Sequence, residues 1–219
     1  MSTASLVSLT LLVIGESHMA LPQYLINPLH DDLQAEGAKV YSIGACGASA
    51  GDWLKITKVD CSSERSGDEK AIFKAKPNAA TTPYRELVAK YKPNVVVMII
   101  GDTMGAYDKD PYPRAWAWQS ITNLTKEIAA SKVTCVWVGP TWGRDGGRYQ
   151  KTNPGAQRVS EFISRNVSPC IYIDSLKMSK IDEWKTIDGD HLNGPGYKNW
   201  AAAITKAIGE LPEVQKLRK

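Results

Sequence analysis

Ser17 follows an apolar run directly, in Gly15-Glu16-Ser17, and His191 stands near the other end of the 219-residue chain in Asp188-Gly189-Asp190-His191. A serine hydroxyl becomes a nucleophile when a histidine accepts its proton. The histidine in turn needs a carboxylate on its other ring nitrogen, which sets the tautomer and stabilises the cation. Asp188, three residues before His191 with a glycine between, suits a turn that points both side chains the same way. Asp190 competes for that role, but as the immediate neighbour of His191 it is expected to point elsewhere. Ser17 taken alone reads as a helix N-cap, a common place for serine; the Asp188–His191 pair is what turns it into a nucleophile. The other two histidines offer little: His18 adjoins Ser17 and should diverge from it, and His30 has no supporting motif. Three scattered histidines also argue against a metal site, and no cofactor is implied.

The elements that must position these residues alternate in type. Leu9 to Ile14, Lys39 to Ile43, Val95 to Ile100, Val133 to Val138 and Ile171 to Ile173 read as short apolar strands. Met19 to Glu36, Trp116 to Ala130, Ala156 to Asn166 and Gly196 to Leu211 read as helices. Such alternation predicts a parallel sheet covered by helices on both faces, with every strand's C-terminal end on one edge, where ligands bind. Glycine-rich segments collect at that edge: Gly15-Glu16-Ser17, Gly44-Ala45-Cys46-Gly47-Ala48-Ser49, Gly101-Asp102-Thr103-Met104-Gly105 and Asp188 to Asn193. A Ser17 opening a helix would place its oxygen beside unpaired first-turn N–H groups and the positive end of a helix dipole. The polar, aperiodic stretch 55–82 reads as a flap or mobile loop. The loop 139–154 carries Trp142, Arg144, Arg148, Tyr149 and Lys151.

At 219 residues the chain suits one domain with one core. A net charge of +4, from 27 basic and 23 acidic groups, gives no footprint for nucleic acid, although it would tolerate an anionic polymer. No apolar run reaches the roughly 18 residues of a membrane span. Leu6 to Ile14 could pass for a signal-peptide core, but no basic residue precedes it and no small-residue cleavage site follows, so it reads as the first strand. Met1-Ser2-Thr3 reads as an artificial start from which an export signal or anchor has been cut. Cys46, Cys61, Cys135 and Cys170 match neither a zinc knuckle nor a redox dithiol; their even number fits two disulfides in an exported protein, with three connectivities open. A monomer in the periplasm or secreted is expected.

These blocks, in this order, resemble the SGNH (GDSL-type) hydrolase and acyltransferase superfamily. Gly15-Glu16-Ser17 matches its first block, with Glu16 where aspartate is usual; Gly47 matches the second; and Asp188-Gly189-Asp190-His191, running on into Leu192-Asn193-Gly194-Pro195-Gly196-Tyr197, matches the last. The resemblance spans Leu11 to about Ala207. It implies a flavodoxin-like three-layer α/β/α fold with a five-stranded parallel sheet, an acyl-enzyme on Ser17, and proton transfer through His191 and Asp188. It also implies an oxyanion hole from Ser17, Gly47 and the third-block residue. That block departs: Thr103 stands where the family has asparagine, and an ionised Asp102 beside it would repel an oxyanion. Loss of one such donor typically costs roughly 3–4 kcal/mol of transition-state stabilisation.

The resemblance leaves open whether water or a sugar hydroxyl takes the acyl group. The expected reading is an esterase or O-acetyltransferase acting on small acyl esters of a polysaccharide; a transferase would need an acyl-donating partner, expected at a membrane. Trp142 and Arg144 are the candidate substrate-binding residues, with Trp53, Trp184, Arg148 and Lys151 as further sugar-stacking or glycan-steering groups. A catalytically impaired, polysaccharide-binding SGNH-like domain is the alternative. A nucleotide or flavin binder is weak, because the first strand-to-helix turn lacks a phosphate-cradling glycine run.

Overall fold

The structure, a computed structural model, describes residues 5–218. Met1-Ser2-Thr3, read above as an artificial start, lies outside them. Seven strands form one sheet: β1 (Thr10–Gly15), β2 (Lys39–Ala45), β3 (Cys61–Ser66), β4 (Ile72–Ala75), β5 (Val95–Ile99), β6 (Thr134–Val138) and β7 (Ile171–Ile173), in the order β4-β3-β2-β1-β5-β6-β7. β2, β1, β5, β6 and β7 pair in parallel, while β3 and β4 join β2 as an antiparallel hairpin. The helices are α1 (Ile26–Ala35), α2 (Tyr84–Tyr91), α3 (Arg114–Ser131), α4 (Asn153–Asn166), α5 (Gly194–Glu210) and α6 (Pro212–Gln215).

Period-two alternation splits the central strands between two cores. Leu11, Val13, Val95, Val97 and Ile99 pack with Leu29, Leu33, Ile204 and Ile208, from α1 and α5. Leu12, Ile14, Val96 and Met98 face Leu87, Ile121, Leu124, Val159 and Ile163, from α2, α3 and α4. Strands buried on both faces explain why β1 and β5 read as continuous apolar runs. The order places β1 in the middle, so the chain after Gly15 emerges at the centre of the C-terminal edge.

Three expectations are corrected. The sheet has seven strands rather than five, because part of 55–82 is strand. Cys61-Ser-Ser-Glu-Arg-Ser lacks apolar alternation, since its buried members are Ser62 and Ser63, and Ser63 Oγ donates to the Ala20 carbonyl at 2.7 Å. The long helix from Met19 shrinks to Ile26–Ala35: Pro22 interrupts it, and Ser17–Met19 forms a separate three-residue 3-10 turn. Ser17 therefore does not open an α-helix, and a helix dipole is not what faces it. Finally, α2 went unread in the sequence.

Two disulfides form, Cys46–Cys61 and Cys135–Cys170. The first ties the hairpin to the segment after β2; the second ties β6 to the approach to β7. No helix among the described residues is long and apolar enough to cross a membrane. Cys135–Cys170 closes a 35-residue separation inside the core, so replacing both cysteines by alanine is expected to lower unfolding free energy by about 3–4 kcal/mol, read from urea midpoints at unchanged m-value.

Candidate active site

Ser17, Asp188 and His191 come together at the C-terminal edge of the sheet. His191 Nε2 lies 2.7 Å from Ser17 Oγ, and Nδ1 lies 2.8 Å from Asp188 Oδ2. The other Asp188 oxygen accepts the N–H groups of Asp190 and His191 at 3.0 and 2.8 Å. The turn is thus closed by the same carboxylate that fixes the imidazole. Immediately after it, Asn193 caps α5 by accepting from Gly196 N at 2.9 Å, with Pro195 in the first turn. The cap anchors the point where the Asp188–His191 turn enters the helix.

Gly47 has φ +69°, and a Cβ built on it would meet nothing within 4 Å. The conformation calls for glycine, and its open side adjoins the cleft that both Ser17 and Gly47 line. Its neighbours spend their N–H groups elsewhere, Cys46 N on the Cys61 carbonyl, continuing the β2–β3 pairing, and Ala48 N on the Ala45 carbonyl in a turn. Ser17 N opens the 3-10 turn, where a first N–H has no acceptor within the turn. Thr103 lines the same cleft but is otherwise engaged: its hydroxyl donates to the Ala48 carbonyl at 2.9 Å and its N–H to Glu16 at 2.7 Å. Thr103, implied by the resemblance as the third oxyanion-hole residue, thus has its hydroxyl committed to Ala48.

Glu16 explains what the third block does instead. Its carboxylate accepts the N–H groups of Gly101, Asp102 and Thr103, at 2.8, 2.7 and 2.7 Å. One methylene longer than aspartate, it straps the β5 loop to the nucleophile's loop. Burial, followed by the Asp102 charge, pushes its carboxyl up to about 7, against the pull of His18 and the Gly101 N–H bond.

Beneath the pair lies a buried ionic cluster that the sequence did not disclose. Lys151 Nζ reaches Asp102 Oδ1 at 2.7 Å and Asp190 Oδ1 at 2.9 Å, with its side chain fully buried. Asp102 also meets His18 Nε2 at 2.9 Å and accepts from Tyr107 Oη at 2.7 Å; His18 Nδ1 sits 2.9 Å from Tyr197 Oη. The charge of Asp102 is thus met by Lys151 and His18. Burial alone would raise its pKa, but Lys151 and His18 hold it well below the usual carboxylate range. Lys151, expected among the glycan-steering groups, is instead a buried cation of this cluster. The available signal was two aspartates, Asp102 and Asp190, set in glycine-rich blocks without partners. A buried carboxylate requires one.

The remaining candidates move as well. Trp142 is half-buried and donates its indole N–H to the Leu176 and Ser179 carbonyls, both at 3.0 Å. Trp53 is wholly buried, and Trp184 packs against the α1–α5 core. Arg144 is exposed and reaches the site only through its backbone, Arg144 N donating to the Gly189 carbonyl at 2.9 Å. Its neighbours Arg148 and Tyr149 line the cleft. Gly189, at φ +94°, packs where any side chain would strike Gly147, so the 144–151 loop lies flat against the catalytic turn. Glu16, His18 and Asp102 approach one another closely enough to hold a cation, but Lys151 already supplies the positive charge.

No family model matches the chain. Protein BcsX of Komagataeibacter xylinus is 38% identical over 217 residues, covering 98% of this chain and 81% of that protein. Among solved structures, a GDSL-like lipase of Bacteroides thetaiotaomicron superposes with a TM-score of 0.59 at 15% identity, covering 90% of this chain and 86% of its own. The acetylxylan esterase Axe2 of Geobacillus stearothermophilus, as a catalytic mutant, gives 0.59 at 13% identity, covering 91% and 94%. A peptidoglycan O-acetylesterase gives 0.58 at 12%, covering 95% and 93%.

The three imidazoles should titrate apart. Burial and the His18 charge lower His191, against Asp190 and Asp188. For His18, burial is outweighed by the Asp102 hydrogen bond and the nearby carboxylates, and the value rises. Burial and Arg65 bring His30 down to about 4. NMR titration is expected to find His18 above 6.5, the other two below it, and so His191 neutral and able to accept a proton at pH 7. Lys151→Met leaves two buried carboxylates without their cation and should cost about 3–5 kcal/mol in chemical unfolding. Arg144→Ala, exposed, should stay within about 0.5 kcal/mol.

Proposed function

The chain belongs to the family of Protein BcsX and has the fold of the SGNH (GDSL-type) superfamily, and from that premise we propose that it is a serine-dependent enzyme cleaving or transferring small acyl esters of a polysaccharide. The observation that carries this reading is the continuous hydrogen-bonded line Ser17–His191–Asp188, with contacts of 2.7 and 2.8 Å. That line also favours catalysis over a binding-only domain, which would have no need of a serine hydroxyl aimed at a neutral imidazole. The acetylxylan and peptidoglycan esterases among the structural neighbours act on acylated glycans, which supports the substrate class.

The steps follow from the geometry. Ser17 Oγ gives its proton to His191 Nε2 and attacks the ester carbonyl carbon; Asp188 stabilises the resulting imidazolium. The oxyanion is met by the N–H groups of Ser17 and Gly47, with no side-chain donor from Thr103. Collapse breaks the ester C–O bond, and His191 passes its proton to the departing alcohol. Water or a second hydroxyl then takes the acyl group from Ser17. With Asp102 neutralised by Lys151 and His18, the negative charge developing on the carbonyl is not opposed by a bare carboxylate. The missing side-chain donor predicts modest turnover of generic esters. The two disulfides support an exported protein, and a transferase role would call for an acyl donor delivered at a membrane.

Hydrolysis of a chromogenic acetyl ester is the direct measurement. Ser17→Ala and His191→Ala are each expected to lose about 10⁴-fold or more in kcat. Equal turnover by wild type and Ser17→Ala would falsify the catalytic assignment. With an oligosaccharide present, mass spectrometry distinguishes the two fates: acylated sugar marks a transferase, free acid alone an esterase.

A further inference from the structure

An ester's alcohol oxygen must lie beside His191 Nε2, because that nitrogen protonates it on departure and deprotonates its counterpart on return. Whatever surrounds this nitrogen is what the protein offers to the alcohol. The Tyr24 ring stacks on His191 at 5.3 Å between centroids, and Tyr149 meets it edge-on, also at 5.3 Å. The Arg148 guanidinium lies 5.5 Å from the centre of the Tyr149 ring. Tyr149 remains 41% exposed although it touches the imidazole; a tyrosine held there is poorly explained by core packing alone.

The lining of the whole cleft, about 540 Å³ in volume, narrows the class of alcohol. Leu21 and Ala106 are the aliphatic side chains among its described lining, and the rings of Tyr24, Tyr107 and Tyr149 supply its aromatic wall. Asp60, Asp108 and Arg148 supply charged hydrogen-bonding groups at the same cleft. Aromatic faces beside polar groups suit a ring with apolar C–H faces and equatorial hydroxyls. We propose that Tyr149, Tyr24 and Arg148 form the alcohol-side subsite, which takes a pyranose ring whose hydroxyl or ester oxygen points at His191.

This inference rests on the ester chemistry proposed above and assigns its alcohol half. In acyl transfer the sugar hydroxyl oxygen in this subsite bonds to the acyl carbon and its proton passes to His191. The carbon–Oγ bond to Ser17 breaks, and Oγ recovers the proton from His191.

The experiment compares two acetyl esters, glucose pentaacetate and triacetin, which offer a ring and a flexible glycerol chain. Tyr149→Ala is expected to lower the ratio of their kcat/KM values by about fivefold or more, mainly through KM for the sugar ester, while Tyr149→Phe keeps the ratio within about twofold. Labelling of Ser17 by a small alkyl fluorophosphonate reports that the variants keep a folded site. A ratio that Tyr149→Ala leaves unchanged, in a protein that turns over both esters, overturns the subsite and spares the ester chemistry. Turnover of triacetin without any of the sugar ester overturns the pyranose assignment in the same way. Turnover of neither ester by the wild type overturns both readings together.

Discussion

The buried contact of Lys151 with Asp102 and Asp190 is the constraint on which the site depends. It joins three segments far apart in sequence: the loop after β5, the loop after β6, and the turn that carries His191. Two carboxylates buried this far cost free energy unless a cation meets them. The ammonium between them, with His18 against Asp102, supplies that charge and lets the loops close. Desolvated ion pairs contribute less to stability than their short distances suggest, because both partners give up hydration. What such a cluster does supply is registry. This arrangement of the loops meets both carboxylates with one ammonium, and Asp190 in it is the immediate neighbour of His191.

The two departures from the superfamily pattern are connected through this framework. Glutamate in place of aspartate at position 16 reaches three N–H groups of the β5 loop, and threonine at 103 turns its hydroxyl to the Ala48 carbonyl. The third block thus serves as a strut between the first two blocks and gives up the side-chain donor. The oxyanion site proposed for this cleft would then be built from backbone N–H groups. Backbone donors are already held in place and need no reorganisation when charge develops, but there are fewer of them.

Much of this was legible in the residues. Ser17, Asp188 and His191 could be picked out because a nucleophile, a base and an orienting carboxylate are chemically distinctive, and because few histidines compete. The parallel strands were legible because burial on both faces leaves an unbroken apolar run. The β3–β4 hairpin was not: its inward side chains are serines and its outer strand is wholly exposed, so it carries no alternation of polarity. Trp142 and Arg144 look like sugar-binding residues by type, yet the indole is bonded to two carbonyls and Arg144 is exposed. Arg148 and Tyr149, from the same loop, line the cleft.

The sequence by itself determined the covalent chemistry available, the order of the blocks and the edge of the sheet where they meet, since these depend on residue type and on local periodicity. Only the tertiary structure decided which charges are buried together. Lys151 looks like any surface lysine in the chain, and Asp102 looks like a threat to an oxyanion. Lys151 lies 49 residues from Asp102 and 39 from Asp190, and the energy of a charge is set by what surrounds it in space. No pattern along the chain records whether water is excluded from a side chain, and exclusion of water is what makes Lys151, Asp102 and Asp190 a single unit.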